Sequence, residues 1–147
     1  MIHLHTMRHW SISRISNKCI FFKNLDLIIP FGSVLYFASH KKNFELSRCL
    51  QGFLPKEING DIDSNIWEVH AVFNENLKGV LDHLFWEDAG VLNFDHVHCY
   101  HHDEMLFWFH DGFTGGELVV SPNVSGEQIR KFCYKIGSQF ELLEPIA

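Results

Sequence analysis

Cationic side chains are scarce in this chain. Only 12 Lys and Arg stand against 18 Asp and Glu, giving a formal net charge of −6 at pH 7 with His neutral. Nucleic acids and anionic membrane surfaces are held through Lys and Arg, so neither is an expected partner, whereas a basic protein is. Long apolar runs are missing too. The most hydrophobic stretch, LDLIIPFGSVLYFA at 25–38, is broken by Pro30 and Gly32. It falls short of the roughly 20 residues that span a bilayer. The first residues, MIHLHTMRHWSISRIS, are polar and His-rich and hold no apolar core of a secretory signal. The four Cys, at 19, 49, 99 and 133, are widely spaced and form no C-x-x-C. That excludes a zinc knuckle or thioredoxin motif and fits reduced, mostly buried thiols in a cytoplasmic protein. No P-loop, dinucleotide fingerprint, G-x-S-x-G or H-E-x-x-H occurs, so no cofactor is implied by motif.

What is abundant is phenylalanine, with 14 copies in 147 residues, and histidine, with 11. Hydrophobic residues make up 46% and charged residues 20%, the balance of a folded chain. A chain of this length supports one core, which should be built on Phe. The expectation is a single domain over 1–147, with 1–18 as an extended arm or first edge strand. Full protonation of the His side chains would carry the net charge from −6 to +5, so surface charge depends strongly on pH.

Periodicity supplies the elements. CIFFK, LDLII and VLYFA read as strands, with Pro30 and Gly32 making a turn between the last two. In NFELSRCLQGF, Leu46, Cys49, Leu50 and Phe53 fall at helical spacing, and Pro55 lies just beyond. NGDIDSN at 59–65 echoes a calcium loop through Asp61, Asp63 and Asn65. It has Ile66 where the turn Gly belongs and Val72 where the closing Glu belongs, so it reads as a polar turn. Trp67, Val69, Ala71 and Phe73 alternate on one strand face. Asn74 then caps a helix with a Leu77, Val80, Leu81, Leu84 and Phe85 stripe. Three strands follow at about 91–101, 105–111 and 116–121. Ser125 and Gln128 form a capping box, Gly137 ends the last helix, and QFELL is a final strand. The order implies an α+β fold: a mainly antiparallel sheet with about three helices packed on it.

One stretch proposes chemistry. FDHVHCYHHDE, 94–104, places His96 and His98 on one face of a strand, with imidazoles roughly 7 Å apart. Neutral imidazoles are good ligands for zinc, and His110 on the next strand is the candidate third ligand. A hairpin whose paired residues sum to 206, as from a three-residue turn at 102–104, puts His110 opposite His96 and the three His on one face. A sum of 207, from a turn at 103–104, puts His110 on the other face. Asp95, Asp103, Glu104 and Asp111 are the carboxylates near enough in sequence to support such a site. Cys99 points to the opposite face and reads as a structural thiol.

Two functions fit these features. The first is a non-catalytic protein-binding protein of immunity or antitoxin type that neutralises a basic toxin or nuclease domain. Its acidic surface would speed capture. Its contact residues would be Glu87, Asp88, Asp103, Glu104 and Asp111, with Glu57, Asp61 and Asp63 as further candidates and Trp86 or Trp108 as aromatic anchors. The alternative is a small metal-dependent hydrolase, with zinc on the His-x-His hairpin at His96, His98 and His110.

Overall fold

The computed structural model describes residues 7–15, 17–39, 44–53, 68–87, 94–110 and 116–145, and of 44, 45, 47 and 85–87 the backbone alone. Seven strands form one sheet: β1 (His9–Ser13), β2 (Val34–Ala38), β3 (Glu68–Val72), β4 (His96–His101), β5 (Glu104–His110), β6 (Leu118–Val120) and β7 (Gln139–Leu143). Their spatial order is β3-β2-β4-β5-β6-β1-β7, and every neighbouring pair is antiparallel. Four helices accompany it: α1 (Lys18–Lys23), α2 (Phe44–Leu50), α3 (Glu75–Glu87) and α4 (Gly126–Ile136). The α+β architecture expected from the sequence is present.

Alternation decides what each strand buries. Leu35 and Phe37, Val69 and Ala71, Val97 and Cys99, Phe107 and Phe109, and Leu118 and Val120 all point to one side of the sheet and are buried. The helices cover that side. Phe21 and Phe22 of α1, Leu46 and Leu50 of α2, Leu77 and Leu81 of α3, and Ile129, Phe132 and Cys133 of α4 join the strands in one continuous cluster. Phe21 is its hub, with ring centroids 5.0 Å from Phe22, 5.3 Å from Phe109, 5.9 Å from Phe132 and 6.0 Å from Phe107. Phe22 carries the contact on to Phe37 and Phe94. Val119 is the one buried apolar side chain, among the described residues, outside this cluster, because it points to the opposite face.

The helix ends follow local chemistry. Asn74 Oδ1 accepts from Leu77 N at 2.8 Å and starts α3. Ser125 Oγ accepts from Gln128 N at 3.2 Å and Ser125 N donates back to Gln128 Oε1 at 3.1 Å, completing the capping box of α4. Gly137, at φ 72°, takes the left-handed position that closes it.

Two expectations are corrected. CIFFK and LDLII are not strands: Lys18–Lys23 is helix α1, and Leu25–Leu27 is a 3₁₀ turn. Asn17 starts the helix, its side chain accepting from Ile20 N at 3.0 Å, and Asn24 Nδ2 closes it on Ile20 O. A short helix presents adjacent Phe21 and Phe22 to the core together, which an alternating strand cannot do. The N-terminal strand is also not at an edge. It lies between β6 and β7, where Trp10 pairs with both Val120 and Leu142. The stretch at 59–65, read as a polar turn, lies outside the described residues.

Truncation of the hub measures its weight against a helix cap. Phe21→Ala should lower unfolding free energy by about 3–5 kcal/mol, as for a large aromatic removed from a closed core. Ser125→Ala should cost only about 1 kcal/mol. Urea denaturation of the two variants beside the parent checks both, and equal losses would contradict this division.

Candidate functional site on the sheet face opposite the helices

The candidate site is made by the pairing of β4 with β5. His96 lies opposite His110, Val97 opposite Phe109, His98 opposite Trp108 and Cys99 opposite Phe107. Nearer the turn the register changes, with Tyr100 opposite Met105 and His101 opposite Glu104. Leu106 is therefore an extra residue in β5, a bulge, and both Leu106 and Phe107 are buried. The connection itself is the two residues His102 and Asp103, with His102 in the left-handed region at φ 55°. The pairing that aligns the three His thus comes from a two-residue turn plus a bulge, and not from a longer turn.

The face that none of the described helices covers then reads across the strands as a row of rings. His70, Tyr36, His98 and Trp108 are consecutive cross-strand neighbours on β3, β2, β4 and β5, and Val119 follows on β6. Their centroids are 4.8 Å apart for Tyr36–His70, 5.4 Å for Tyr36–His98 and 5.8 Å for His98–Trp108. Tyr100 extends the patch, its hydroxyl sharing a 2.7 Å hydrogen bond with His70 Nδ1. His96 and His110 stack face to face, centroids 3.7 Å apart and planes 4° apart, and Trp108 lies over His110 at 5.1 Å. Glu68 and Glu141 add carboxylates at the two edge strands. None of the seven strands contains a Lys or Arg.

Burial tunes these groups. His98 is the most perturbed imidazole. Burial, and then neighbouring His96 and His110, push it down to about 4, so it is neutral at pH 7. Its Nε2 is buried with no hydrogen-bond partner, a cost of roughly 1–3 kcal/mol for such an orphan. Burial also lowers His70, against the opposing pull of Glu68. The Tyr36 phenol is held above its ordinary range, first by burial and then by the Glu68 carboxylate. On the other face, burial pushes the Cys99 thiol up to about 12, which keeps it protonated and unsuited to nucleophilic work.

The register condition for a three-His face is therefore met, but the rings do not converge as they stand. A metal ion lies in the plane of the imidazole that binds it, and the parallel planes of His96 and His110 point past any common position. Among the described residues, no group of three or more His, Cys, Asp or Glu is arranged to hold a metal ion. Asp103 and Glu104 sit at the turn, the far end of the hairpin from His96 and His110, so neither can serve as a base there. Asp103 is exposed. Glu104 accepts from Ser121 Oγ at 3.1 Å and from Asn123 Nδ2, fastening the turn to the chain that follows β6. Asp88, Asp111, Glu57, Asp61 and Asp63, and the side chains of Trp86 and Glu87, lie outside the described residues. Sequence reading missed His70 and Tyr36. The alternation that buries Val69 and Ala71 already turned His70 the other way, but nothing local places β3 and β2 beside β4.

The depressed His98 gives a signed pH dependence. Unfolded, His98 takes up a proton near pH 6.5, and folded only near about 4. Between these values the unfolded chain binds more protons, so native stability falls as pH drops from about 7 to about 4 and levels off below. Urea midpoints across that range should fall, and His98→Gln should remove about 1–2 kcal/mol of the fall, a figure reduced for the ring's partial exposure. Superimposable pH profiles for parent and variant would contradict the depressed value.

Comparison with known proteins gives no match: no family model matches this chain, and no match was found among curated proteins or solved structures.

Proposed function

We propose that the protein is a non-catalytic binding protein that takes a basic protein partner on the helix-free face of its sheet, as an immunity or antitoxin protein takes a basic toxin or nuclease domain. One observation carries this reading: among the described residues, no strand of the sheet holds a Lys or Arg, and the cations outside helices are Arg8 and Arg14, at the two ends of β1. Lys18, Lys23, Arg48, Lys78, Arg130, Lys131 and Lys135 all lie on helices, while the strands carry none. The opposite face offers Glu68, Glu141 and the rings of Tyr36, Tyr100 and Trp108. Aromatic faces attract Arg and Lys by cation–π contact worth roughly 0.5–2 kcal/mol each. The same ring types are enriched among residues that anchor interfaces. His98, neutral at pH 7, adds surface without repelling a cation.

The products of the genes adjacent to this one supply the test. Each is purified, inactivated if toxic, and titrated with this protein by calorimetry at low and high salt. One basic domain should bind one to one, with affinity falling as salt rises. Trp108→Ala should weaken binding by at least about tenfold, the scale of an aromatic anchor. Glu68→Lys, on the exposed end of edge strand β3, should reverse the local charge without opening the core. No binding by any of them, or binding to both variants at parental affinity, would overturn the reading.

A further inference from the structure

The His pair of β4 and β5 has a second chemistry, independent of any protein partner. We propose that His96, His98 and His110 form a binding site for a divalent ion of the zinc type, reached when His96 and His110 turn out of their stack. Three observations support it. The register places His96 directly opposite His110, a pairing whose Cβ atoms lie about 4.5–5.5 Å apart, close enough for two imidazoles to reach one ion. His98 is two residues along the same strand and faces the same side, opposite Trp108. Its buried Nε2 has no hydrogen-bond partner, so coordination at this nitrogen would satisfy an orphaned polar atom rather than displace a bond.

His110 is exposed and His96 only half-buried, so turning either does not open the core. Three imidazoles leave a fourth position for solvent, and imidazole donors suit zinc over calcium or magnesium. His101 and His102 are the competing pair, their rings 4.2 Å apart at the turn.

Metal-free protein at about pH 7.5 is titrated with zinc chloride by calorimetry, and tryptophan emission is followed in parallel. About one equivalent should bind. His98→Ala and His110→Ala should each weaken binding by more than about 100-fold, beyond the roughly 10–100-fold that loss of a supporting contact costs. His102→Gly, which suits the left-handed turn, should leave it unchanged. Because Trp108 lies over His110, emission should change on binding, and that change should vanish in Trp108→Phe while the heat remains. Circular dichroism checks that each variant is folded. Should His98→Ala fail to fold, His110→Asn on the exposed ring carries the test alone. No heat with zinc, parental affinity in the His110 variants, loss of binding in His102→Gly, or emission that stays constant as zinc binds would each overturn the proposal.

Discussion

Everything on both faces of the sheet depends on the register of β4 against β5, and that register depends on one unpaired residue. β5 is the middle strand, with β3, β2 and β4 on one side and β6, β1 and β7 on the other. Carried on without interruption, the two-residue turn at His102 and Asp103 would set Phe109 opposite His96. The phenylalanines of β5 would then leave the face that Phe21 packs against. The bulge at Leu106 restores them. It forgoes ladder pairing worth on the order of 1 kcal/mol. Burying Phe107 and Phe109 returns roughly 1.5–3 kcal/mol each, so the core sets the register and the turn adapts. The stacked His96 and His110 are a by-product of that choice.

Much of this architecture was legible locally. The helical stripe of α3, the capping box of α4, the left-handed Gly137 and the alternation of β3 each declare themselves within a dozen residues. Helix α1 did not, since CIFFK is made of residues that favour strands and its cap, Asn17, is a single side chain in a polar stretch. Packing settled the matter, because only a helix delivers Phe21 and Phe22 into the core side by side. The candidate site divided the same way. That His96 and His98 share a face follows from the strand period, and His110 joins them only if the register allows. The bulge that allows it leaves no local signature beyond an apolar pair, Leu106 and Phe107, where one apolar and one polar residue belong. Tyr36 and His70 belong to the site through strand order alone, which sequence periodicity does not encode.

The two layers differ in electrostatic character as well as in content. Long cations suit the helical surface, where their stems lie along the layer and their heads stay in water. Lys131 meets Glu127 there at 3.3 Å, an exposed pair that adds little to stability, and the half-buried Lys78 meets Asp26 at 3.4 Å. Among the described residues, the strands carry no Lys or Arg, and the other face holds the carboxylates Glu68 and Glu141. Its remaining polar groups sit mainly on short or rigid side chains held by ring contacts and by the His70–Tyr100 hydrogen bond. Such a surface loses little side-chain entropy when covered, a property that favours recognition.

The position of β1 has a consequence for how the chain acquires its structure. His9–Ser13 is held between two strands from the other end of the sequence, and Trp10 donates at 2.9 Å to Val124, 114 residues away. On the ribosome this first strand has no neighbour to pair with until β6 and β7 have emerged. Until then β5 presents an unpaired edge beside the densest part of the core. Long-range closure of this kind slows folding, and exposed edges invite association between chains. The nascent protein is therefore at its most vulnerable just before β6 is made.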